Sequence, residues 1–291
     1  MDENEKSENI VHRRNVTRSN GGDLSGTEDK PASAEEEVQD EDNSKRRLTL
    51  MEEVFLLGLK DKEGYTSFWN GSLCFGLRGC ILVELSIRGR IKLEEAGVKR
   101  KSLLRRKVLI VNSTPTGECL LDEALKHIRQ TQPPENVGSW IAYLSGDSWN
   151  LMKRRYHMRY VRERIAKGLV EKGVLSTEKM NFFVFDVTTH PLLDSDTKLQ
   201  IVKKVQDGLL SRWTGDLSRM DKRQLALLLL AQVSEVIENA FDSLNSDDFV
   251  SANKRVSELA NLDLENEAAK ENSLDIVWAV VDYLSSVDSE K

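Results

Sequence analysis

At residue 48 the chain changes character, and that change bounds what can fold. Residues 1–47 hold no aromatic residue and few large apolar ones, and Glu35-Glu-Glu-Val-Gln-Asp-Glu-Asp42 puts six acids in eight positions. Such a segment cannot bury enough apolar surface to offset the entropy of ordering it, so a disordered acidic tail is expected over 1–47. From Leu48 onward nearly every stretch can contribute to a core. Leu48-Thr-Leu-Met-Glu-Glu-Val-Phe-Leu-Leu-Gly-Leu-Lys-Asp61 predicts an amphipathic helix. A short loop with Tyr65, Phe68 and Trp69 follows, and then Arg78 between two glycines in Gly76-Leu-Arg78-Gly79. A tryptophan and an arginine brought close together near the start of a domain suit an acidic lipid headgroup better than they suit catalysis.

The rest of the chain reads as mainly α: a single helical domain over 48–291 with short β-hairpins and no internal repeat. Helical stretches are expected near 48–61, 72–88, 118–131, 135–145, 150–172, 195–214, 221–241, 247–262 and 271–287. Asp221 has the position of an N-cap, and Asn272 or Ser273 is placed to cap the last helix. Gly89–Leu93 and Lys107–Val111 read as two strands joined by a basic loop. A second hairpin is expected from 174–177 through a polar turn at 178–181 to 182–185.

Charge and cysteine content exclude several classes. Of the 48 acids and 42 bases, 13 and 8 lie in residues 1–47, leaving 35 acids and 34 bases in the folded part. A domain so close to neutral attracts anions only through a local patch, which argues against a dedicated nucleic-acid binder such as a winged helix. The odd set Cys74, Cys80 and Cys119 without Cys-x-x-Cys spacing predicts free thiols in a reducing compartment. No basic segment followed by an apolar one marks an export signal, so the glycosylation-type triplets at Asn15, Asn70 and Asn112 are treated as chance. The longest apolar run, Leu225–Ala231, is far short of the roughly 20 residues that span a bilayer. The expectation is a cytosolic or peripheral protein.

No phosphate loop, dinucleotide fingerprint or nucleophile elbow is present. His12, His127, His157 and His190 have no metal-ligand spacing, so neither a metal nor a cofactor is expected. His127 belongs to a helix surface or core edge. Asp122-Glu123 reads as an exposed, first-turn charge rather than an acid/base couple, because neighbouring helical positions diverge. An enzyme is the least supported class.

The basic run Lys153–Arg164 is more informative. Were it one helix with the stripe Met158, Val161, Ile165, Leu169, then Arg155, Arg159 and Arg162 would share one shoulder of that stripe. Several guanidinium forks converging there suit a phosphate. The plainer alternative is a solvated face with an Arg159–Glu163 pair. Trp69 has a similar pair of readings: a core residue, or a loop residue entering a membrane interface with Phe68 and Tyr65. Trp140, Trp149, Trp213 and Trp278 are assigned to cores.

Residues 48 to about 285 resemble the Golgi phosphoprotein 3 family, the phosphatidylinositol 4-phosphate effectors of the trans-Golgi. The matching stretches are LTLMEEVFLLGLKDKEGYTSFWN, GLRGC, PTGECLLDEALKH, VRERIAKGLVEKGVLSTEKMNFFVFDVTTHPL and RMDKRQLALLLLA. The resemblance implies a helical domain with a projecting β-hairpin and a headgroup pocket formed by Trp69, Arg78, Arg159 and Arg162. It implies that the hairpin around Glu178 to Thr189 serves oligomerisation and membrane contact, its first eight residues being Glu178, Lys179, Met180, Asn181, Phe182, Phe183, Val184 and Phe185. It further implies an adaptor at the cytoplasmic face of trans-Golgi membranes, exchanging with cytosol. That adaptor would link cytosolic tails of Golgi glycosyltransferases to coatomer through the tail pair Arg13-Arg14, with a cytoskeletal motor as a further partner. The chain departs from the family at Gly71, where an acid usually stands, and over Ser72–Phe75. A protein-only scaffold whose basic groove binds acidic peptides is the alternative reading, and it differs in that lipid would not compete for the groove.

Overall fold

A computed structural model of the protein describes residues 47–67, 70–98, 100–182, 185–211, 217–270 and 275–289. The folded unit starts at Thr49, whose hydroxyl accepts from the Glu52 N–H at 3.3 Å while Glu52 Oε2 accepts from the Thr49 N–H at 2.7 Å. This reciprocal capping box satisfies donors that the first turn of a helix leaves open. It starts α1 (Leu50–Gly58), in which every residue from Leu50 to Leu57 is buried, Glu52 and Glu53 included. The expected amphipathic helix is therefore a core helix, and it is shorter. Residues 59 and 60 leave it to form β1 (Leu59–Lys60), which pairs antiparallel with β2 (Tyr65–Thr66).

The helix α2 (Gly71–Ile87) is the centre of the domain. Twelve of its residues are buried, and it packs against α1 and against α3 (Cys119–Arg129), α4 (Val137–Ser145), α7 (Lys222–Val233) and α10 (Asp275–Ser289). A helix apolar around its whole circumference belongs inside a bundle. Its glycines allow the close approach: a Cβ at Gly76 would lie 1.9 Å from Ser234 Oγ, and one at Gly79 would lie 2.7 Å from Val280. The remaining helices are α5 (Val161–Glu171), α6 (Ser195–Leu210), α8 (Ser246–Ala260) and α9 (Leu264–Lys270). The mainly helical class is as expected, and so is the Asp221 cap, whose carboxylate accepts from the Gln224 N–H at 2.9 Å. The two strands β3 (Ile91–Leu93) and β4 (Val108–Ile110) also pair as expected.

Several expectations are corrected. The stretch 221–241 breaks at Val233, where Ser234, Glu235 with φ +54° and a 3₁₀ turn at Ile237–Ala240 redirect the chain. The short α9 had no strong periodic signal and was not expected. The second hairpin is offset: β5 (Glu178–Phe182) pairs with β6 (Phe185–Thr189), Glu178 opposite Thr189 and Phe182 opposite Phe185. Polar residues 178–181 are strand rather than turn, because a two-stranded ribbon needs no buried face and its ladder is carried by the backbone. The span agrees with that implied by the resemblance. Trp140 and Trp278 are buried as expected, but Trp149 is fully exposed. Trp213, the caps proposed at Asn272 and Ser273, and the tail with Arg13 and Arg14 lie outside the described residues.

Buried carboxylates tie the helices together. Glu53 on α1 and Glu84 on α2 are nearly inaccessible, and Arg223 at the start of α7 bridges them. Its Nη1 donates to Glu84 Oε2 at 2.9 Å, and its Nη2 donates to Glu53 Oε2 at 3.0 Å and to the Leu48 carbonyl at 2.7 Å. Burial pushes the Glu84 carboxyl up, but Arg223, the Leu50 N–H and Arg88 outweigh it and hold the group below its ordinary value near 4.5. A carboxyl depressed in the folded state stabilises the fold above its unfolded pKa, and that contribution is lost as pH falls. Arg223→Met, which leaves two buried carboxylates short of a partner, is expected to cost roughly 3–5 kcal/mol at neutral pH. The penalty should shrink as pH falls below about 4.5 and through the lowered Glu84 pKa, where that carboxyl protonates. Denaturant melts of both proteins across that range check this, and a pH-independent difference would contradict it.

Candidate functional site

Arg78 lies on the buried α2 and is only 4% exposed. Its Nη1 donates to the Cys74 carbonyl at 3.0 Å and contacts Cys74 Sγ at 3.2 Å, and its Nη2 donates to the Met158 carbonyl at 3.0 Å. Its Nε has no partner among the described residues. Burial pushes this guanidinium below the usual arginine range; the Cys74 sulfur opposes that, and Arg162 adds to it. A buried cation beside a second cation is stabilised by a nearby anion.

Arg162 stands in the first turn of α5. Its Nη1 donates to the Ser67 carbonyl at 3.0 Å and its Nη2 to the Asn70 carbonyl at 2.6 Å. The planar fork thus holds both flanks of the loop that carries positions 68 and 69. Asn70 in turn caps α2, its Oδ1 accepting from the Leu73 N–H at 2.6 Å. Trp69 itself, assigned to this site from the sequence, lies outside the described residues.

The expected helix over 150–172 is not continuous. A 3₁₀ segment at Leu151–Tyr156 ends before His157, and Tyr160 takes a left-handed φ of +55° before α5 begins. The Met158 N–H donates to the Leu144 carbonyl at 3.0 Å instead of to an i−4 partner, which is why the helix is interrupted. The shared helical shoulder for Arg155, Arg159 and Arg162 therefore does not exist. Arg155 folds over the Tyr156 ring, 4.8 Å from its centroid, and donates to its hydroxyl at 2.6 Å. Arg159 is exposed and makes no hydrogen bond or ion pair among the described residues, so the Arg159–Glu163 pair is not formed.

The break brings other groups together. No side chain caps the N-terminus of α5, so its first N–H groups keep the partial positive charge of a helix start. His157 lies among cations: burial, then Arg78, Arg159 and Arg154, hold its imidazole below the ordinary histidine range. Near Arg78, Glu163 contributes an opposing carboxylate charge. The result is a buried guanidinium, two further arginines and an uncapped helix start around one spot, an arrangement fit to hold an oxyanion. His157 and the α5 N-terminus were missed from the sequence. The doubled-arginine run was the signal, but the chain reversal that groups these residues had no local mark. Elsewhere the sequence reading holds more closely for the three free cysteines and for His127, which sits at a core edge against Tyr156, whereas Glu123, read as exposed, is half-buried and pairs with Arg164 at 2.6 Å. Asp122 is instead a loop acceptor, bonded to the Thr116 N–H at 2.6 Å and hydroxyl at 2.8 Å. Among the described residues there is no cluster of metal-ligating groups and no helix long and apolar enough to cross a membrane.

A family model described as Golgi phosphoprotein 3 (GPP34) matches residues 50–276. Vacuolar protein sorting-associated protein 74 of Schizosaccharomyces pombe is 48% identical over 223 residues, which is 73% of this chain. The matched region is 66% of that relative's own length, just under two thirds.

The two bonds from Arg162 give a local expectation. Arg162→Ala should free the loop at 67–70, raising amide exchange there by the factor that about 1–3 kcal/mol of lost charged hydrogen bonding gives. Arg162→Lys should not restore protection, because one ammonium cannot bridge two carbonyls as the fork does. Unchanged exchange in Arg162→Ala would remove the anchoring role.

Proposed function

The chain belongs to the Golgi phosphoprotein 3 family, and from that premise we propose that it is a peripheral protein of the cytoplasmic face of trans-Golgi membranes that binds phosphatidylinositol 4-phosphate. The observation that carries the reading is the grouping of Arg78, Arg159 and Arg162 around the uncapped start of α5. A phosphate monoester offers charge and acceptors in all directions, and these groups are all donors. Arg78 and Arg162 spend part of their donors on backbone carbonyls, so they position the site as well as charge it, while Arg159 remains free for the ligand. Trp69, on the loop that Arg162 holds, is proposed to face the same headgroup or the lipid around it.

The adaptor role is part of the proposal and rests on the family. The Arg13-Arg14 pair of residues 1–47 would engage coatomer, while the folded domain engages cytosolic tails of Golgi glycosyltransferases, with a cytoskeletal motor as a further partner. The β5–β6 hairpin would support self-association and membrane contact. Among the described residues its strands form a two-stranded sheet of their own, and the outer edges of such a ribbon are open for pairing. No catalytic role is proposed.

Arg159→Ala should weaken binding to vesicles containing phosphatidylinositol 4-phosphate by about 1.5–3 kcal/mol, the cost of one charge-assisted contact. Its melting temperature should not move, because the side chain has no structural partner. Co-sedimentation across phosphoinositides measures this; equal binding by the variant, or failure of the lipid to compete with an acidic peptide for the site, would favour a protein-only scaffold. For the tail, replacing Arg13 and Arg14 by alanine should abolish coatomer capture and leave vesicle binding intact, and a pull-down that keeps coatomer would overturn that role.

A further inference from the structure

Between α4 and α5 the chain makes a loop whose two ends meet. The His157 ring packs against Gly146 so closely that a Cβ at Gly146 would fall 2.8 Å from it, and Gly146 is left-handed with φ +79°. One residue further on, the Met158 N–H donates to the Leu144 carbonyl at 3.0 Å. The inner part of the loop is fixed in the core. Tyr156 is buried, edge-on to Trp140 at 5.6 Å and to His127 at 5.3 Å. Lys153 bonds Glu135 at 2.8 Å and lies 5.1 Å over the Tyr143 ring.

The outer part is the opposite in character. Trp149 is fully exposed, and Leu151 and Met152 are 77% and 73% exposed. Single exposed apolar residues are ordinary, but three within four positions, one of them a tryptophan, are not. Nor is the tip slack: Ser148 Oγ accepts from the Asn150 N–H at 3.3 Å, and Asn150 Oδ1 accepts from the Met152 N–H at 3.0 Å. The loop presents its apolar tip in a fixed form.

Charge identifies what covers it. Arg154 follows the tip and is exposed, and with Arg78 and Arg159 it bears on His157 at the loop base. The base of the apolar projection therefore adjoins the cationic site. A protein partner of ordinary composition needs no such flanking charge, whereas a lipid surface is apolar below and anionic above in this order. We propose that the 147–156 loop is a membrane wedge: Trp149, Leu151 and Met152 enter the interfacial region of an anionic bilayer while Arg154 stays at the phosphate level. The wedge rests on the headgroup reading for its orientation, but its own chemistry is separate, because it needs lipid tails rather than a phosphate.

The test uses the full chain and the triple variant Trp149→Ser/Leu151→Ser/Met152→Ser. Probes are the soluble inositol bisphosphate headgroup, phosphatidylcholine vesicles with phosphatidylinositol 4-phosphate, and phosphatidylcholine vesicles with phosphatidylserine. The triple variant should melt as the parent does and bind the soluble headgroup equally. On both vesicle types it should bind roughly tenfold or more weakly, the factor for about 1.4 kcal/mol of lost apolar burial. Brominated lipids should quench parent fluorescence more than that of Trp149→Phe, which keeps vesicle binding. Vesicle affinity within about twofold of the parent, equal losses with vesicles and soluble headgroup, or quenching that is the same in Trp149→Phe would each overturn the wedge. If the parent fails to bind the soluble headgroup, the cationic-site reading falls, and the wedge is decided by quenching on the phosphatidylserine vesicles.

Discussion

The domain depends on carboxylates buried where apolar residues would be expected. Glu53 on α1 and Glu84 on α2 are buried where Arg223 joins the two helices, and Glu52 is buried on the side of α1 that meets the end of α5. Each must find a cation, since a buried charge left unpaired is worth several kcal/mol against the fold. The cations come from far along the chain: Arg223 from α7, and Lys172 from just after α5, with bonds to Glu52 at 2.8 Å and to Glu118 at 3.0 Å. An apolar contact tolerates sliding by a residue, whereas these pairs do not. The network therefore fixes register among α1, α2, α5 and α7, and we read its value as specificity more than net stability.

That register is what assembles the cationic site. Lys172 holds the end of α5 to α1, so the beginning of α5 is delivered against Arg78 on α2. Arg162 then fastens the 67–70 loop to the same turn, and Asn70 of that loop caps α2. The site is closed on itself before any ligand arrives. Its charge is local in a domain that is nearly neutral overall, so its attraction falls off within about a Debye length and acts only on anions already near the surface.

The sequence made the helices legible where caps and apolar runs agree. The apolar run from Leu48, and Asp221 ahead of Leu225–Ala231, mark starts that the structure places within two residues. Arg78, Arg159 and Arg162 came forward as candidates through the resemblance, while the shoulder expected for Arg155, Arg159 and Arg162 on one helix does not form. The interruption at 157–160 is imposed by tertiary bonds, from Met158 to Leu144 and from His157 onto Gly146, and no glycine or proline lies between Asp147 and Arg164 to announce it. Trp149 shows the same limit. A tryptophan's apolar area argues for burial, but burial needs a partner surface, and it is Tyr156 that packs edge-on against Trp140 while Trp149 stays exposed. The hairpin failed differently: Glu178–Asn181 is polar, and polarity was taken for a turn, whereas a ribbon standing on its own keeps polar residues in its ladder.

An exposed apolar loop and a half-satisfied cationic site are each costly in isolation, and the fold keeps both. Arg78 is desolvated with its Nε unpaired among the described residues, and Trp149 is fully exposed. The elements that hold them in place are tied by named contacts: α1 and α5 by the Glu52–Lys172 pair at 2.8 Å, and the loop base by the Tyr156 ring edge-on to Trp140 at 5.6 Å. Local strain of this kind persists where the surroundings over-determine it. The membrane surface proposed above would relieve both at once, since it presents phosphate and hydrocarbon close together in depth. A weak contact of each type then adds within one binding event, and linking copies of the chain through the open edges of β5 and β6 would multiply it again, because the second attachment is intramolecular. Modest affinity at each contact with steep dependence on having them together would suit the peripheral, reversible attachment proposed above.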